Sequence, residues 1–133
     1  DAEVEAIEQD TIVFAVGIND SKYPAGSEVN KVPLEEYKHN MQMLLVAAQK
    51  HTKRIFIVGL TKVDEAANLS PSRFMNSQIE VYNSFLKEFS ERNELFFIDV
   101  YETLDTTTDL CDGLHPNAQG YDKLSKVILG AII

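Results

Sequence analysis

The stretch Ile12-Val13-Phe14-Ala15-Val16 is a short, unbroken apolar run, rich in residues that favour β-strands. Two similar runs follow it along the chain, at residues 55–58 and 95–98. Unbroken rather than alternating apolar runs are typical of strands that are covered on both faces, as in a parallel sheet. The three runs therefore predict a parallel sheet with helices packed against it.

Three further segments carry apolar residues at helical spacing. Pro33 opens the first of them and suits a first helical position. We predict that each apolar stripe faces the core; the stripes are Leu34, Tyr37, Met41, Leu44 and Ala48, then Met75, Ile79, Tyr82, Leu86 and Phe89, then Tyr121, Leu124, Ile128 and Ala131. The alternation of strands and helices predicts a right-handed α/β layered fold, with residues 1–133 forming a single domain.

The composition is close to that of an ordinary globular protein, with 44% apolar and 25% charged residues. The net charge of −9 and the lack of a basic stretch argue against a nucleic-acid partner, because nothing would neutralise the phosphates. No run approaches the roughly 18 apolar residues of a transmembrane helix. Cys111 is the only cysteine, which excludes an intramolecular disulfide, and we expect it to be a small buried residue.

The first eight residues read as the end of an amphipathic helix, with Val4 and Ile7 one turn apart. A natural protein seldom begins inside an element of secondary structure. We therefore predict that sequence upstream of Asp1 is missing.

The segment Asp112-Gly113-Leu114-His115-Pro116-Asn117 follows the third strand and precedes the last helix. A carboxylate three residues before a histidine can bind one imidazole nitrogen and leave the other free to take a proton. In open α/β sheets, ligands bind outside the carboxyl ends of the strands, which is where this loop leaves the sheet. The pattern predicts the base half of a charge-relay hydrolase site, and the alternative is an ordinary surface turn.

Two sequence blocks resemble those of the SGNH (GDSL-type) hydrolases. Gly17-Ile18-Asn19-Asp20 is similar to the third block of that family, and residues 112–121 are similar to the fifth. The stretch Val81-Tyr82-Asn83 also resembles the family, so the likeness covers nearly the whole chain. It implies a three-layer, flavodoxin-like α/β sheet of parallel strands, and hydrolysis of ester or thioester bonds in small acyl substrates without a cofactor.

The resemblance also implies roles for single residues. His115 would be the general base and then the acid, Asp112 would orient its imidazole, and the Asn19 amide would donate to the oxyanion. Three residues would shape the backbone at the site: Gly17, Gly113 and Pro116. The alternative is that Asn19 and Asp20 only form a turn. Asn117 is a good N-cap for the last helix, and we expect no other role for it. His39 and His51 read as surface residues, and no ligand spacing supports a metal site.

The chain departs from the family because its Gly-Asp-Ser block, which carries the nucleophile, is absent from this sequence. Ser21 and Ser27 lie in the first loop, but neither sits in a tight strand-to-helix turn that would present a hydroxyl. We therefore expect the C-terminal portion of a serine esterase or lipase-type hydrolase that is inactive by itself. The alternative is a non-catalytic α/β binding or interaction module that keeps the scaffold.

The absence of the Gly-Asp-Ser block also implies that the first strands of the family's sheet are missing from this sequence. A sheet truncated by its first strands would leave the run from Ile12 to Val16 with unpaired backbone groups along one edge. We expect the chain to self-associate through this edge.

Overall fold

Three parallel strands form the sheet of the computed structural model, which describes residues 10–67 and 71–133. They are β1 (Thr11–Phe14), β2 (Arg54–Val58) and β3 (Phe96–Ile98), and they lie in the order β1-β2-β3. Thr11 lies opposite Arg54, and Phe56 lies opposite Phe96. The parallel sheet predicted from the three apolar runs is confirmed. The first strand ends at Phe14, two residues before the apolar run does.

Four helices flank the sheet in the described part of the chain. They are α1 (Ile18–Ser21), α2 (Leu34–Gln49), α3 (Asn76–Arg92) and α4 (Ala118–Ile132). The helices α2, α3 and α4 lie in the predicted order along the chain. The helical patterns did not predict α1, which is a single turn shortly after β1. The helix predicted at residues 1–8 lies outside the described residues. No described helix is both long enough and apolar enough to cross a bilayer.

The central strand β2 divides the core into two layers. Its side chains alternate: Ile55 and Ile57 join the cluster built with α2 and α3, whereas Phe56 and Val58 join the cluster that α4 covers. All four side chains are buried. Burying one such side chain stabilises the folded state by about 1.5–3 kcal/mol. Because helices cover both faces of β2, every residue after Arg54 is buried, and none of them is polar. The three-layer arrangement implied by the resemblance is present.

The predicted helix stripes need two corrections. On α2 the buried stripe runs through Leu45, not Leu44, which is 40% exposed, because Leu45 lies one full i, i+4 step after Met41. On α4 the inner stripe is Leu124, Ile128 and Ile132, while Tyr121 is 57% exposed. This helix covers the sheet on one side only, so its stripe is narrow and half-buried. The stripe of α3 is confirmed from Ile79 to Phe89.

The strand β1 lies at an edge of the sheet and is covered on one face. Ile12 and Phe14 pack against the cluster of α2 and α3, but Val13 points to the other face and is 41% exposed. Val16, just past the strand, is 42% exposed. On the side away from β2, no strand of the described residues pairs with β1. Among the residues that the structure describes, β1 is therefore an unpaired edge strand with an exposed apolar side chain at Val13.

Candidate active site

Asp112 and His115 form a hydrogen-bonded pair at the tip of the loop between β3 and α4. Asp112 Oδ2 lies 2.7 Å from His115 Nδ1, and both side chains are more than half exposed. The other carboxylate oxygen, Oδ1, accepts the backbone N–H groups of His115 at 2.7 Å and Leu114 at 2.9 Å. These donors, the His115 backbone N–H foremost, lower the pKa of Asp112 to about 2. The carboxylate is therefore ionised and fixed against one ring nitrogen at neutral pH.

A short hairpin-like loop presents this pair. Leu110 and Pro116 face each other in an antiparallel bridge, and the Cys111 N–H donates to the His115 carbonyl at 2.8 Å. Gly113 turns the tip with φ of 84°, a conformation that favours glycine. The Gly113 carbonyl accepts the N–H of Asp64, which links the tip to the loop after β2. Gly113 and Pro116 thus both lie in the loop that carries His115.

Cys111 is exposed, so the expectation of a buried residue is wrong. It lies on one arm of the hairpin-like loop, with Sγ 3.5 Å from the Pro116 carbonyl oxygen, and this arm has solvent on its outer side. Burial of this residue depends on the path of the loop, which its small size and apolar character do not reveal.

The base of the loop is fixed to the first turn of α4. The Asn117 side chain accepts the Gly120 N–H at 2.9 Å, which confirms it as the N-cap of the helix. Its amide also donates to the Thr108 carbonyl at 2.8 Å. Asp109, whose side chain is fully buried, pairs with Lys123 at 2.7 Å. The sequence gives no local signal for Asp109, because its partners lie up to fourteen residues away.

The Gly17–Asn19 turn follows the carboxyl end of β1. Gly17 has φ of 138°, and a Cβ atom there would lie 2.5 Å from the hydroxyl of Tyr37. That hydroxyl donates to the Val16 carbonyl at 2.8 Å, so the turn is held against α2. Asn19 lies in α1 and is exposed. Within residues 10–67 and 71–133, no hydrogen bond joins Asn19 to Asp112 or His115.

An apolar groove of about 200 Å³ runs between the Gly17 turn and α4. Val16 and Ile18 line one side, and Leu124 and Ile128 line the other. Leu60, two residues past the end of β2, also lines the groove. Since the strands are parallel, the groove and both loops lie at the carboxyl edge of the sheet, where ligands bind in folds of this class.

Asn83 holds the loop after β2 at this edge, a contact that the sequence reasoning did not find. Its Oδ1 accepts the Leu60 N–H at 2.8 Å, and a Cβ at Gly59 would lie 2.8 Å from the same oxygen. The only sequence signal was the general likeness of Val81-Tyr82-Asn83 to the family.

The two serines of the first loop are engaged elsewhere. Ser21 is 1% exposed and its hydroxyl donates to the Ile18 carbonyl at 2.8 Å. The Ser27 hydroxyl donates to the Val29 carbonyl at 2.9 Å. His39 and His51 are exposed, as expected. No group of three or more His, Cys, Asp or Glu side chains that could hold a metal ion occurs among the described residues.

Comparisons with known proteins agree on the type of domain. The sequence pattern of the GDSL-like lipase/acylhydrolase family matches residues 1–123. A multidomain esterase of Ruminococcus flavefaciens is 28% identical in an alignment 127 residues long, which covers 92% of this chain and 15% of that protein.

Solved structures with the same fold are longer than this chain. A protein of Streptococcus pneumonia described as a putative platelet activating factor superposes with a TM-score of 0.78 at 21% identity, covering 93% of this chain and 60% of its own. An acetylxylan esterase of Geobacillus stearothermophilus gives a TM-score of 0.71 at 19% identity, covering 96% of this chain and 61% of the esterase. A GDSL-like lipase of Bacteroides thetaiotaomicron gives 0.73 at 17% identity, covering 92% and 61%. The chain thus spans about three fifths of the solved structures that it matches.

Proposed function

The chain belongs to the GDSL-like lipase/acylhydrolase family, and from this premise we propose that it carries the base and the oxyanion donor of a serine ester hydrolase. The observation that supports this most is the 2.7 Å contact between Asp112 Oδ2 and His115 Nδ1. It leaves Nε2 of the imidazole as the nitrogen that can take a proton.

The proposed reaction uses a serine from sequence outside these 133 residues. His115 takes the serine proton as the serine oxygen attacks the ester carbonyl carbon. The imidazolium then gives that proton to the leaving alcohol, which leaves an acyl-serine. Water next attacks the acyl carbon while His115 takes a proton from it, and the bond to the serine oxygen breaks as that oxygen receives the proton, which releases the free acid. Asp112 stabilises the imidazolium, because its carboxylate is already ionised and faces Nδ1.

Asn19 has the second role in this scheme. Its side-chain amide would donate to the oxyanion of the tetrahedral intermediate, which can lower the barrier by about 3 kcal/mol. The support is its position in α1, directly after the Gly17 turn and exposed at the carboxyl edge of the sheet.

The chain by itself is then inactive. Ser21 is buried and bonded to its own helix, and Ser27 is bonded within its turn, so neither hydroxyl is presented to His115. The substrate class is an ester with a small acyl group, in line with the esterases that the chain resembles.

The experiment compares two polypeptides on nitrophenyl acetate. The 133-residue chain should show no turnover, and a polypeptide extended upstream of Asp1 should hydrolyse the ester. His115→Ala in the extended polypeptide should remove the activity, whereas His39→Ala, an exposed histidine on α2, should leave it unchanged. Failure of the extended polypeptide to hydrolyse any short-chain ester would contradict the proposal and favour a non-catalytic module.

Self-association through β1 is the second part of the proposal. The support is the exposure of Val13 and Val16 beside backbone groups that no described strand pairs. Light scattering at rising concentration should show dimers or larger species, and Val13→Lys should shift them toward monomer. Val29→Lys is the matched control, because Val29 is an exposed valine outside the sheet. A monomer at every concentration would contradict this part.

A further inference from the structure

We infer that Asp109 and Lys123 position the Asp112–His115 pair by locking the base of the loop that carries it. The inference deepens the proposed function and rests on it for the meaning of the pair. Neither residue touches the pair, so their role is positioning and not catalysis.

Asp109 is a buried side chain at the base of the loop, and its carboxylate accepts three hydrogen bonds. Its side chain is 0% exposed, and Oδ2 accepts both the Lys123 ammonium at 2.7 Å and the Asp105 N–H at 2.8 Å. Oδ1 accepts the Gln119 amide at 2.9 Å. A buried carboxylate is retained only where such donors replace water, and together they lower the pKa of Asp109, the Lys123 contact foremost.

These bonds tie the loop to α4 through the Asp109 side chain. Lys123 and Gln119 both belong to the helix, so the Asp109 side chain joins the helix to the loop's first arm. The Asp109 carbonyl accepts the Asn117 N–H at 2.8 Å, which closes the loop onto its second arm. A Cβ at Gly120 would lie 2.4 Å from this carbonyl oxygen, so the close approach requires glycine there.

A continuous series of backbone contacts between the two arms of the loop joins Asp109 to the tip. Above the Asp109–Asn117 contact come the Leu110–Pro116 bridge and the Cys111 N–H bond to the His115 carbonyl. The next rung is the Asp112 carboxylate, which holds the Leu114 and His115 N–H groups and the imidazole. The Asp112 and His115 side chains are exposed, so this run of bonds joins them to the fold alongside the Gly113–Asp64 bond and the core contact of Leu114.

The test uses the 133-residue chain and a readout that needs no enzyme activity. The carboxyl carbon of Asp112 is titrated by NMR in the unmodified chain and in Asp109→Asn, and exchange of the Leu114 and His115 amide protons is measured beside it. We expect the pKa of Asp112 to rise from about 2 by about one unit, and amide exchange to speed up about tenfold, because both depend on the same N–H donors.

The direction of the change separates positioning from plain electrostatics. Removing a negative charge near Asp112 would by itself lower the pKa of that carboxylate. A rise therefore reports lost geometry. A lowered or unchanged pKa with unchanged amide exchange would overturn the inference.

Three variants complete the design. Asp122→Asn removes a carboxylate from an exposed ion pair with Lys126 on the same helix and should leave Asp112 unchanged. Lys123→Arg should preserve the low pKa of Asp112, because the cation is kept. If Asp109→Asn fails to fold, Gln119→Ala removes one donor from Asp109 without changing charge and should give a smaller rise; no rise there would overturn the inference. Since none of these readouts involves an ester, they can fail while the ester-hydrolysis assay succeeds, so failure of the inference and failure of the proposed function are distinguishable.

Discussion

The two loops assigned to the site differ in how they are held. The Asp112–His115 loop is a closed ladder whose carboxylate, imidazole and backbone donors bind one another. The Gly17–Asn19 turn is held from one side, by Tyr37 of α2, and its other side faces the apolar groove. The Asp112–His115 loop is also tied to the rest of the fold by the Gly113–Asp64 bond and by Leu114, which packs against the core. The Gly17–Asn19 turn adjoins a strand edge and a groove that no described element fills.

Under the proposed function, the two loops have different chemical tasks. A carboxylate that orients a base holds its imidazole in one tautomer, and it can do so before substrate arrives. An oxyanion donor acts only once a nucleophile and a carbonyl are present beside it. In this scheme the Asp112–His115 pair is already assembled in the chain, whereas Asn19 lies beside an open surface.

The largest effect is expected from Asp112→Asn in a polypeptide extended upstream of Asp1. The amide cannot stabilise the imidazolium and favours the wrong tautomer, so kcat/KM should fall by about 10⁴-fold. The measurement is nitrophenyl acetate hydrolysis, with Asp122→Asn as the control carboxylate on α4. A loss below tenfold would mean that the pair is a surface turn and not a catalytic dyad.

Asn19→Ala should cost less in the same assay. Removing one oxyanion donor lowers kcat by about 10²–10³-fold, with KM little changed, because the bond is made in the transition state. Asn40→Ala, an exposed asparagine on α2, is the matched control. An equal fall in activity for both variants would remove Asn19 from the site.

Gly17→Ala should reduce stability rather than chemistry alone. Its φ of 138° and the 2.5 Å approach to the Tyr37 hydroxyl act together, and we expect a loss of about 2–4 kcal/mol in the free energy of unfolding. Gly26→Ala is the matched control, because Gly26 also has positive φ but no atom within 4 Å of the added Cβ. It should cost about 1–2 kcal/mol. Urea unfolding measures both, and equal losses would show that the contact with Tyr37 contributes nothing.

The sequence alone predicts more of the scaffold than of the site. Unbroken apolar runs define β2 because burial on both faces leaves no polar position, and the Asp-x-x-His spacing places the Asp112–His115 contact within one turn. Leu45 was missed because one helical step changes which leucine faces the sheet. Asn83 and Asp109 were missed because their partners are brought together only by the fold. Residues that make contacts within a few positions were predictable, and residues that join separate elements were not.

The smallest effect is expected on the free energy of unfolding at acid pH, where the Asp112 carboxylate becomes protonated. The folded-state pKa of Asp112 is about 2, below its ordinary value of 3.8, so the carboxylate contributes stability at pH values above about 4. That contribution should be lost progressively as pH falls from about 4 to 2. Asp112→Asn should therefore make the free energy of unfolding, measured with urea at pH 5, 3 and 2, fall less steeply with acid than in the unmodified chain. Gly26→Ala changes no titratable group and should keep the unmodified slope. Equal slopes for all three proteins would mean that the bonds to Asp112 do not persist in solution, and the closed loop would then be no better ordered than the open one.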